Sequence, residues 1–527
     1  MTDRLSMDVD IVCVGFGPAT AGFLTTLSKS PDLPPLQILC YERAEDIGFG
    51  VSGVVTRARG IRASLPDLDP AQIPMATPVA GEKLVYLRDP ARARNAVELP
   101  YIPPFLCKHD GLVMSLGQFL QYAGGQIMAT GAVQIWPGMP VESAIVEDGK
   151  VCGVRLKDQG VDRDGNPDAG YMPGMDVRAA LTVVGDGPVG AVGRQLAERP
   201  PHEWAVGMKM VVDLPESNSL PAGTVLHTFG YPEPEIFGFL YVHPGNVASV
   251  GIFVPSWMQA PGRTSYEYLQ YFMLHPYLWR YLKGGRLRSW GAKSLNESGR
   301  AGEPLLAADG FARIGEGSGS TNVLTGSGVD EAWTTGALLA EGVLDLIRDK
   351  KPFTRENLQA AYVARRRESW VESEARVAEH ARDGFHYGMI PGLLGMALAG
   401  FTGGRLSFRS KPRPASDARP RAKQWPEIPY DGQLLVSHQD ALLMGGKVQA
   451  PGGYADHVRF LDPDVCVRCG FKRCIQMCSG QAITAGDGPV PAFDREKCVH
   501  CGACLWNCPH GALAFQAGAG GLHSSEN

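Results

Sequence analysis

Eight of the twelve cysteines fall between Cys466 and Cys508, and their spacing is that of metal ligands. The run Cys498-x2-Cys501-x2-Cys504-x3-Cys508-Pro509 folds three soft thiolates around one iron–sulfur cluster and sends the fourth to a neighbouring one. Upstream stands Cys466-x2-Cys469-x4-Cys474-x3-Cys478, with two extra residues and Ser479 in place of the proline. Crossed ligation predicts one 4Fe–4S cluster on Cys478, Cys498, Cys501 and Cys504, and a second on Cys466, Cys469, Cys474 and Cys508. Paired CxxC motifs also suit tetrahedral zinc. The C-x3-C-P ending, with a nucleotide-binding pattern elsewhere in the chain, favours iron and sulfide. Cys13, Cys40, Cys107 and Cys152 are scattered.

That nucleotide-binding pattern is Gly15-Phe16-Gly17-Pro18-Ala19-Thr20, followed by Gly22. The first glycine permits a tight turn, and the second lets a pyrophosphate approach the backbone at a helix N-terminus. Thr20 stands where a third glycine is usual, which predicts looser helix–strand packing. Glu42 ends the next strand 20 residues after Gly22, where an acid grips a ribose hydroxyl. A second pattern, Gly185-Asp186-Gly187-Pro188-Val189-Gly190, has two readings. It marks a separate NAD(P)H site, or it contacts the same FAD, as the Asp-Gly motif of flavin hydroxylases does. No complete βαβ unit with a ribose acid follows it. A third, Ile314-Gly315-Glu316-Gly317, leads to Thr325-Gly326-Ser327-Gly328 and an Ala/Leu-rich helix. Glu316 replaces the usual aspartate and is expected on the ribityl chain of FAD. The dipole of the following helix would favour an anionic reduced flavin.

The elements that must carry these motifs are readable. Val9–Val14 is a β-branched strand, Phe23–Ser28 continues a helix and Leu36–Tyr41 is a second strand, which together open a dinucleotide-binding βαβ fold. The later glycine clusters follow the apolar strands Ala180–Val184 and Phe311–Ile314. The predicted fold is therefore an α/β FAD-binding, glutathione-reductase-like Rossmann domain assembled from residues 1–98, 145–200 and 305–350. Residues 99–144, 201–304 and 351–430 form an inserted α+β substrate domain. Residues 431–516 form a ferredoxin-like iron–sulfur module, and 517–527 a tail. Phe353–Arg382 reads as one long charged helix.

A chain of 527 residues suggests about three domains. With 44% hydrophobic and 20% charged residues it is neither disordered nor collagen-like. A net charge of −5 argues against nucleic acid as the main partner. Little sequence precedes the first apolar run, so neither a signal nor a transit peptide is expected. Gly384–Phe401 is apolar but interrupted by Pro391 and several glycines. Arg405, Arg409, Lys411, Arg413, Arg419, Arg421 and Lys423 follow it, against the single acid Asp417. Such a stretch lies on an anionic leaflet, or is a buried core helix followed by a solvated linker.

Several stretches resemble the electron-transfer flavoprotein:quinone oxidoreductase family over nearly the whole chain. Glu42-Arg43-Ala44-Glu45-Asp46-Ile47-Gly48, leading to Ser52-Gly53, is similar to its post-ribose loop, which adds Arg43, Gly48, Ser52 and Gly53 to the cofactor site. Leu99–Leu116 resembles its apolar, proline-bearing hairpin, and Asp158–Ala169 an insertion. His227–Pro232 and Leu295–Gly299 resemble two further blocks, and Cys498-Val499-His500-Cys501 its cluster motif. The resemblance implies one FAD and one 4Fe–4S cluster, with single electrons taken from the soluble electron-transfer flavoprotein and delivered to a membrane quinone. It implies a monotopic protein, here on the cytoplasmic face of the inner membrane, with Leu99–Leu106 and Gly384–Phe401 facing the bilayer and the quinone entrance. No residue acts as a nucleophile in such a relay; Tyr101, His109, Tyr231 and His243 are candidates for moving protons. The family's single cluster maps onto Cys478, Cys498, Cys501 and Cys504, so the other four cysteines have no counterpart. Two rival expectations stand beside this one: an FAD-dependent reductase or hydroxylase of a lipid-like prenyl substrate, and a module that only docks and passes electrons onward.

Overall fold

In the computed structural model, residues 4–49, 53–197, 202–258, 263–411 and 453–516 are described. The β-branched run predicted as the first strand is its centre. Ser6–Val14 pairs in parallel with Ile38–Tyr41 on one side and Asp176–Val184 on the other. Val133–Trp136 extends the sheet beyond Ile38–Tyr41, and Phe311–Arg313 extends it beyond Thr182–Val184, both in parallel. The hairpin Val141–Glu147/Lys150–Leu156 adds antiparallel to the early part of Asp176–Val184. Val14, Val184 and Arg313 therefore end at one edge of the sheet, and each is followed within two residues by one of the three glycine motifs. Ligands of open parallel sheets bind at that edge.

The loosening predicted at Thr20 does not occur. Thr20 is fully buried, and a Cβ on Gly185 would lie 2.2 Å from its hydroxyl, so Gly185 makes the room. The helix Pro18–Ser28 instead presses backbone to backbone on the helix Val329–Arg348. A Cβ on Gly22 would come 2.4 Å from the Trp333 carbonyl oxygen, and one on Gly336 would come 1.9 Å from that of Ala19.

A second sheet runs in the order Arg286–Asn296, Trp204–Asp213, Val247–Pro255, Phe237–His243, Thr224–Phe229, Gly81–Leu87, Ala96–Glu98. It is antiparallel except where Thr224–Phe229 meets Gly81–Leu87. The helices Ser265–Leu274 and Pro276–Leu282 cover one face, burying Tyr268, Phe272 and Trp290. The other face closes over the edge of the first sheet. The division made from sequence differs from these pairings. Residues 81–98 join the second sheet through the parallel pairing with 224–229. The helix Leu116–Ala129 and the strand Val133–Trp136, drawn with the inserted domain, belong to the nucleotide side. Long-range strand pairing decides both placements.

Phe353–Arg382 is not one helix. A π-turn at Gln359–Val363 interrupts it, and it stops at Ser369, whose hydroxyl accepts from the Glu372 amide to start Trp370–Ala378. Buried Glu372 gathers Arg300, Arg367 and Arg376 across that break. Most of the predicted basic linker, and the tail 517–527, lie outside the described residues.

The C-terminal module has two small antiparallel pairs, Val458–Phe460 with Leu513–Phe515 and Ile483–Thr484 with Ala492–Phe493. It docks firmly. Trp506 stacks on Trp204 at 3.8 Å and 5°. The buried Arg473 guanidinium donates to the carbonyls of Ser256 and Met258 at 3.0 and 3.2 Å.

Alanine for glycine inside a helix ordinarily gains about 1 kcal/mol. At Gly336 the sign should reverse: Gly336→Ala is expected to cost about 1–3 kcal/mol through overpacking against Ala19. Thermal unfolding reads this directly, and an unchanged or raised melting temperature would contradict the helix contact.

Candidate functional site

A cavity of about 440 Å³ lies between the glycine-bearing sheet edge and the second sheet. Gly15, Gly17, Pro18, Ala19, Glu42, Arg43, Gly48, Gly53, Gly185, Asp186, Gly187, Gly315, Glu316, Gly326 and Gly328 all line it. Thr20 and Gly22 do not; they serve packing. Ser52 lies outside the described residues. The second glycine motif opens onto the same cavity as the first, as a shared FAD requires.

Gly15 has φ +81°, and a Cβ there would meet the Asp186 backbone at 3.0 Å, so glycine is required both for the turn and for the approach. Gly17 starts its helix in extended backbone with no side-chain cap, leaving the first amides available to an anion. Glu42 braces this loop, accepting from the amides of Phe16 at 2.7 Å and Ala44 at 2.9 Å. The Asp186 carboxylate turns away from the cavity, accepts from the Gly193 amide at 2.9 Å and fills the space left by Gly190. It is the motif's backbone that borders the opening. Glu316 reaches across to accept from the Asn296 amide at 2.8 Å, using the methylene that distinguishes it from aspartate. Burial pushes its carboxyl up, and the buried Lys293 ammonium partly offsets this.

The helix Val329–Arg348 also begins without a side-chain cap, at Gly328 on the cavity wall. Of its two first-turn acids, Asp330 caps a different helix, accepting from the amides of Arg59, Gly60 and Ile61 at 2.7, 2.8 and 3.2 Å, and Glu331 accepts from the Ser327 hydroxyl at 2.8 Å. The positive end of the dipole is thus left facing the cavity.

Sequence reasoning missed the opposite wall. Phe239, Tyr241 and Phe253 form its aromatic surface, and Lys209 lies among them. Lys209 is fully buried, and its Nζ has no hydrogen-bond partner among the described residues. Burial pushes its ammonium well below the ordinary range. The available signal was one lysine in the otherwise apolar strand WAVGMKMVVD. A buried amine with no protein partner, beside a glycine-lined cavity, is suited to an electron-rich ligand such as FAD. Of the proton-relay candidates, His109 is exposed. His243 is buried, donates from Nδ1 to the Met75 carbonyl at 2.9 Å and accepts from Ser249 at 2.8 Å. Burial pushes its imidazole down to about 4, so it is neutral.

Cys478, Cys498, Cys501 and Cys504 ring a small enclosed space in the C-terminal module, with Val458, Ile483, Phe493 and Phe515. All four are buried. Burial and mutual repulsion push the thiols of Cys478, Cys498 and Cys504 up, that of Cys478 to about 12. Thiolates so placed need a cationic centre between them. Among the described residues no three His, Cys, Asp or Glu side chains converge on one point, as a single metal ion demands. The arrangement suits a 4Fe–4S cluster. Ser479, in the position of the expected proline, donates to the Cys501 sulfur at 3.1 Å; the amides of Ile483 and His500 donate to Cys478 and Cys498 at 3.3 and 3.4 Å. The remaining cysteines form a second group nearer the surface.

The two cavities share a wall. Val499 and Phe515 line both. Arg43, beside Glu42, donates to His500 Nδ1 at 2.7 Å, and the Ser294 amide donates to the Cys501 carbonyl at 2.9 Å. Val189 of the second glycine motif occupies the space that a side chain on Gly502 would need.

At another surface the two segments expected to face a bilayer come together. The helix Met389–Thr402 buries Gly392, Gly395, Met396 and Ala399 and exposes Ile390 (76%), Leu394 (49%) and Phe401 (63%). Phe105 packs on Gly400 and edge-on to Phe401 at 5.8 Å, and Leu99 and Tyr101, earlier in the same segment, are exposed. Arg405, Arg409 and Lys411 follow, all exposed. Neither sequence reading was complete, because the helix has one buried and one open face. Among the described residues no helix is long and apolar enough to cross a membrane.

Residues 204–295, the greater part of the second sheet, match a family model described as ETF-QO, ubiquinone-binding, and residues 490–513 match a 4Fe-4S binding domain. The chain is 27% identical to the mitochondrial electron transfer flavoprotein-ubiquinone oxidoreductase of Arabidopsis thaliana, over 98% of this chain and 84% of that protein. It is 26% identical to the enzyme of that name from Pseudomonas aeruginosa, over 95% of each. Among solved structures, a geranylgeranyl bacteriochlorophyll reductase-like protein from Thermoplasma acidophilum shares the fold at a TM-score of 0.51 and 17% identity, over 75% of this chain and 96% of that one. The flavin-dependent brominase Bmp2 does so at 0.51 and 17%, over 76% and 94%.

Lys209→Met should separate binding from folding. Losing an unpaired buried charge is expected to leave unchanged or raise the thermal stability of flavin-free protein, while FAD dissociates about tenfold more readily, the equivalent of ~1.4 kcal/mol. Lower stability with unaltered FAD retention would assign Lys209 to packing alone.

Proposed function

We propose that this chain, similar over nearly its whole length to the electron-transfer flavoprotein:quinone oxidoreductases, takes electrons from reduced electron-transfer flavoprotein and delivers them to a membrane quinone. The observation that carries this reading is the shared wall of Val499 and Phe515 between the glycine-lined cavity and the four buried thiols. FAD would be held by the motifs at Gly15, Gly185 and Gly315 with Glu42, Arg43, Gly48, Gly53, Gly326 and Gly328, and a 4Fe–4S cluster by Cys478, Cys498, Cys501 and Cys504. When bound, the cluster would supply single-electron exchange and the flavin one- or two-electron exchange, which would join a one-electron donor to a quinone that needs two electrons and two protons.

The protein's own part is to bind, orient and exclude. The uncapped helix starts at Gly17 and Gly328 present amides and positive dipole ends to the cofactor's anionic groups. Lys209 offers an amine from the opposite wall, which a bound anionic group would hold protonated. Phe239, Tyr241 and Phe253 keep water from that wall and give an apolar quinone ring a surface. The open face of Met389–Thr402, with Leu99 and Tyr101, rests on the bilayer while Arg405, Arg409 and Lys411 meet anionic headgroups. Association is peripheral, on the cytoplasmic face of the inner membrane. No side chain needs to form a covalent bond with substrate. The rival reading as a reductase of prenyl chains has only the fold in its favour.

Anaerobic mixing with chemically reduced electron-transfer flavoprotein is expected to bleach the bound flavin and to regenerate its colour on adding a soluble quinone analogue. A flavin that stays oxidised with this donor, yet bleaches with dithionite, would reject the donor. Sedimentation with anionic vesicles should be strong at low salt and weaken as salt rises. Ile390→Asp/Phe401→Asp protein should remain in the supernatant; full retention of that variant in the pellet would place the membrane surface elsewhere.

A further inference from the structure

We infer that Cys466, Cys469, Cys474 and Cys508 hold a second 4Fe–4S cluster at the solvent side of the module, and that electrons enter the chain through it. The identity of the donor rests on the reading above; the cluster does not.

The fold gathers these four thiols from three separate pieces of chain. Cys466 lies on the short helix Pro463–Arg468, which the Asp462 carboxylate caps at the Val465 amide at 3.1 Å. Cys469 ends that helix, its amide donating to Val465 at 3.0 Å. Cys508 follows the helix Ala503–Trp506. The pairing of Val458–Phe460 with Leu513–Phe515, continued by the Leu461 amide donating to Ala512 at 2.8 Å, holds residues 461–469 against 508–512. Cys474 enters on Arg473–Gln476.

Two extra residues within Gly470–Arg473 lengthen the upstream motif before Cys474. They are absorbed locally: the Arg473 amide donates to the Phe471 carbonyl at 2.9 Å, and the Arg473 side chain is anchored in the second sheet at Ser256 and Met258.

Electrostatic neighbours sort the eight thiols into two sets. Cys474 faces Cys508, Cys469 and Cys466, and Cys466 faces Cys508 and Cys469. Cys498 faces Cys501 and Cys478. Cys504, surrounded mainly by its own set, also feels Cys474, so the two groups meet there. All twelve cysteines are free, so no disulfide competes for the outer four. This is the crossed pattern of a two-cluster module.

Exposure orders the two groups. The inner four are buried and share a wall with the nucleotide cavity, whereas of the outer four only Cys466 is buried and Cys469, Cys474 and Cys508 are partly exposed, beside exposed Val467 and Leu461. A one-electron donor meets the outer group first. With a cluster held by Cys466, Cys469, Cys474 and Cys508, one electron would pass from the donor through that site to the one at Cys478, Cys498, Cys501 and Cys504, with no bond formed and no proton required.

Full-length protein prepared and reconstituted under argon should contain about eight iron and eight sulfide per FAD. Cys474→Ser and, separately, Cys508→Ser should contain about four, with FAD and the inner cluster's EPR signal retained. Wild-type protein with four iron, or with four iron and one zinc, overturns the second cluster, and this count does not depend on any variant folding. With reduced electron-transfer flavoprotein, Cys474→Ser should load its inner cluster at least tenfold more slowly than wild type, while dithionite reduces both alike. Equal rates overturn the entry route. Failure of that donor with wild type, at an iron count of eight, overturns the donor reading and leaves the cluster standing.

Discussion

The molecule depends on a wall to which two side chains contribute, each bordering both cavities. Val499 lies between two of the buried cysteines and also borders the glycine-lined cavity, and Phe515 does the same from the last described strand. An electron that must pass between two prosthetic groups needs them near each other and needs water kept from between them. Both demands fall on this wall. The Trp204–Trp506 stack, the Arg473 anchor and the Arg43–His500 hydrogen bond are the means by which a small module of short hairpins is held against a much larger domain.

That arrangement explains why the second sheet is buried on both faces along Trp204–Asp213. One face packs on its own helices. The other supplies the wall opposite the glycine motifs and, at its Trp204 end, a platform for the module. The same strand carries Lys209 into an interior where an unpaired charge is costly. Such a residue is tolerated where a ligand completes it, and the glycine-lined cavity beside it is the place for one.

The parts of this organisation legible in the sequence were those where chemistry fixes local spacing. The glycine motifs could be read because a turn, a helix start and a phosphate approach all happen within eight residues. The cysteine runs could be read as metal-ligand spacing because such spacing is local, and the fold brings Cys478, Cys498, Cys501 and Cys504 around one small space. Less could be read wherever distant segments decide the outcome. Residues 81–98 join the second sheet through a parallel pairing with 224–229 that no local pattern announces. The break at Ser369 depends on a hydroxyl cap and on Glu372 collecting three arginines. Thr20 was read as a flaw in the glycine motif, but its room comes from Gly185, 165 residues away. Apolar Gly384–Phe401 left two readings open because sequence does not reveal which face another segment covers; Phe105 covers part of one.

The central claim is that the thiol-bound and glycine-bound groups exchange electrons directly across Val499 and Phe515. Pulse radiolysis of the purified protein under argon tests it most directly, by injecting electrons at the iron–sulfur module and following flavin bleaching. The account predicts a first-order transfer whose rate is the same at every protein concentration and falls when Arg43→Ala/Trp506→Ala loosens the docking of the module. A rate that rises in proportion to protein concentration would mean that electrons travel between molecules, and would contradict it.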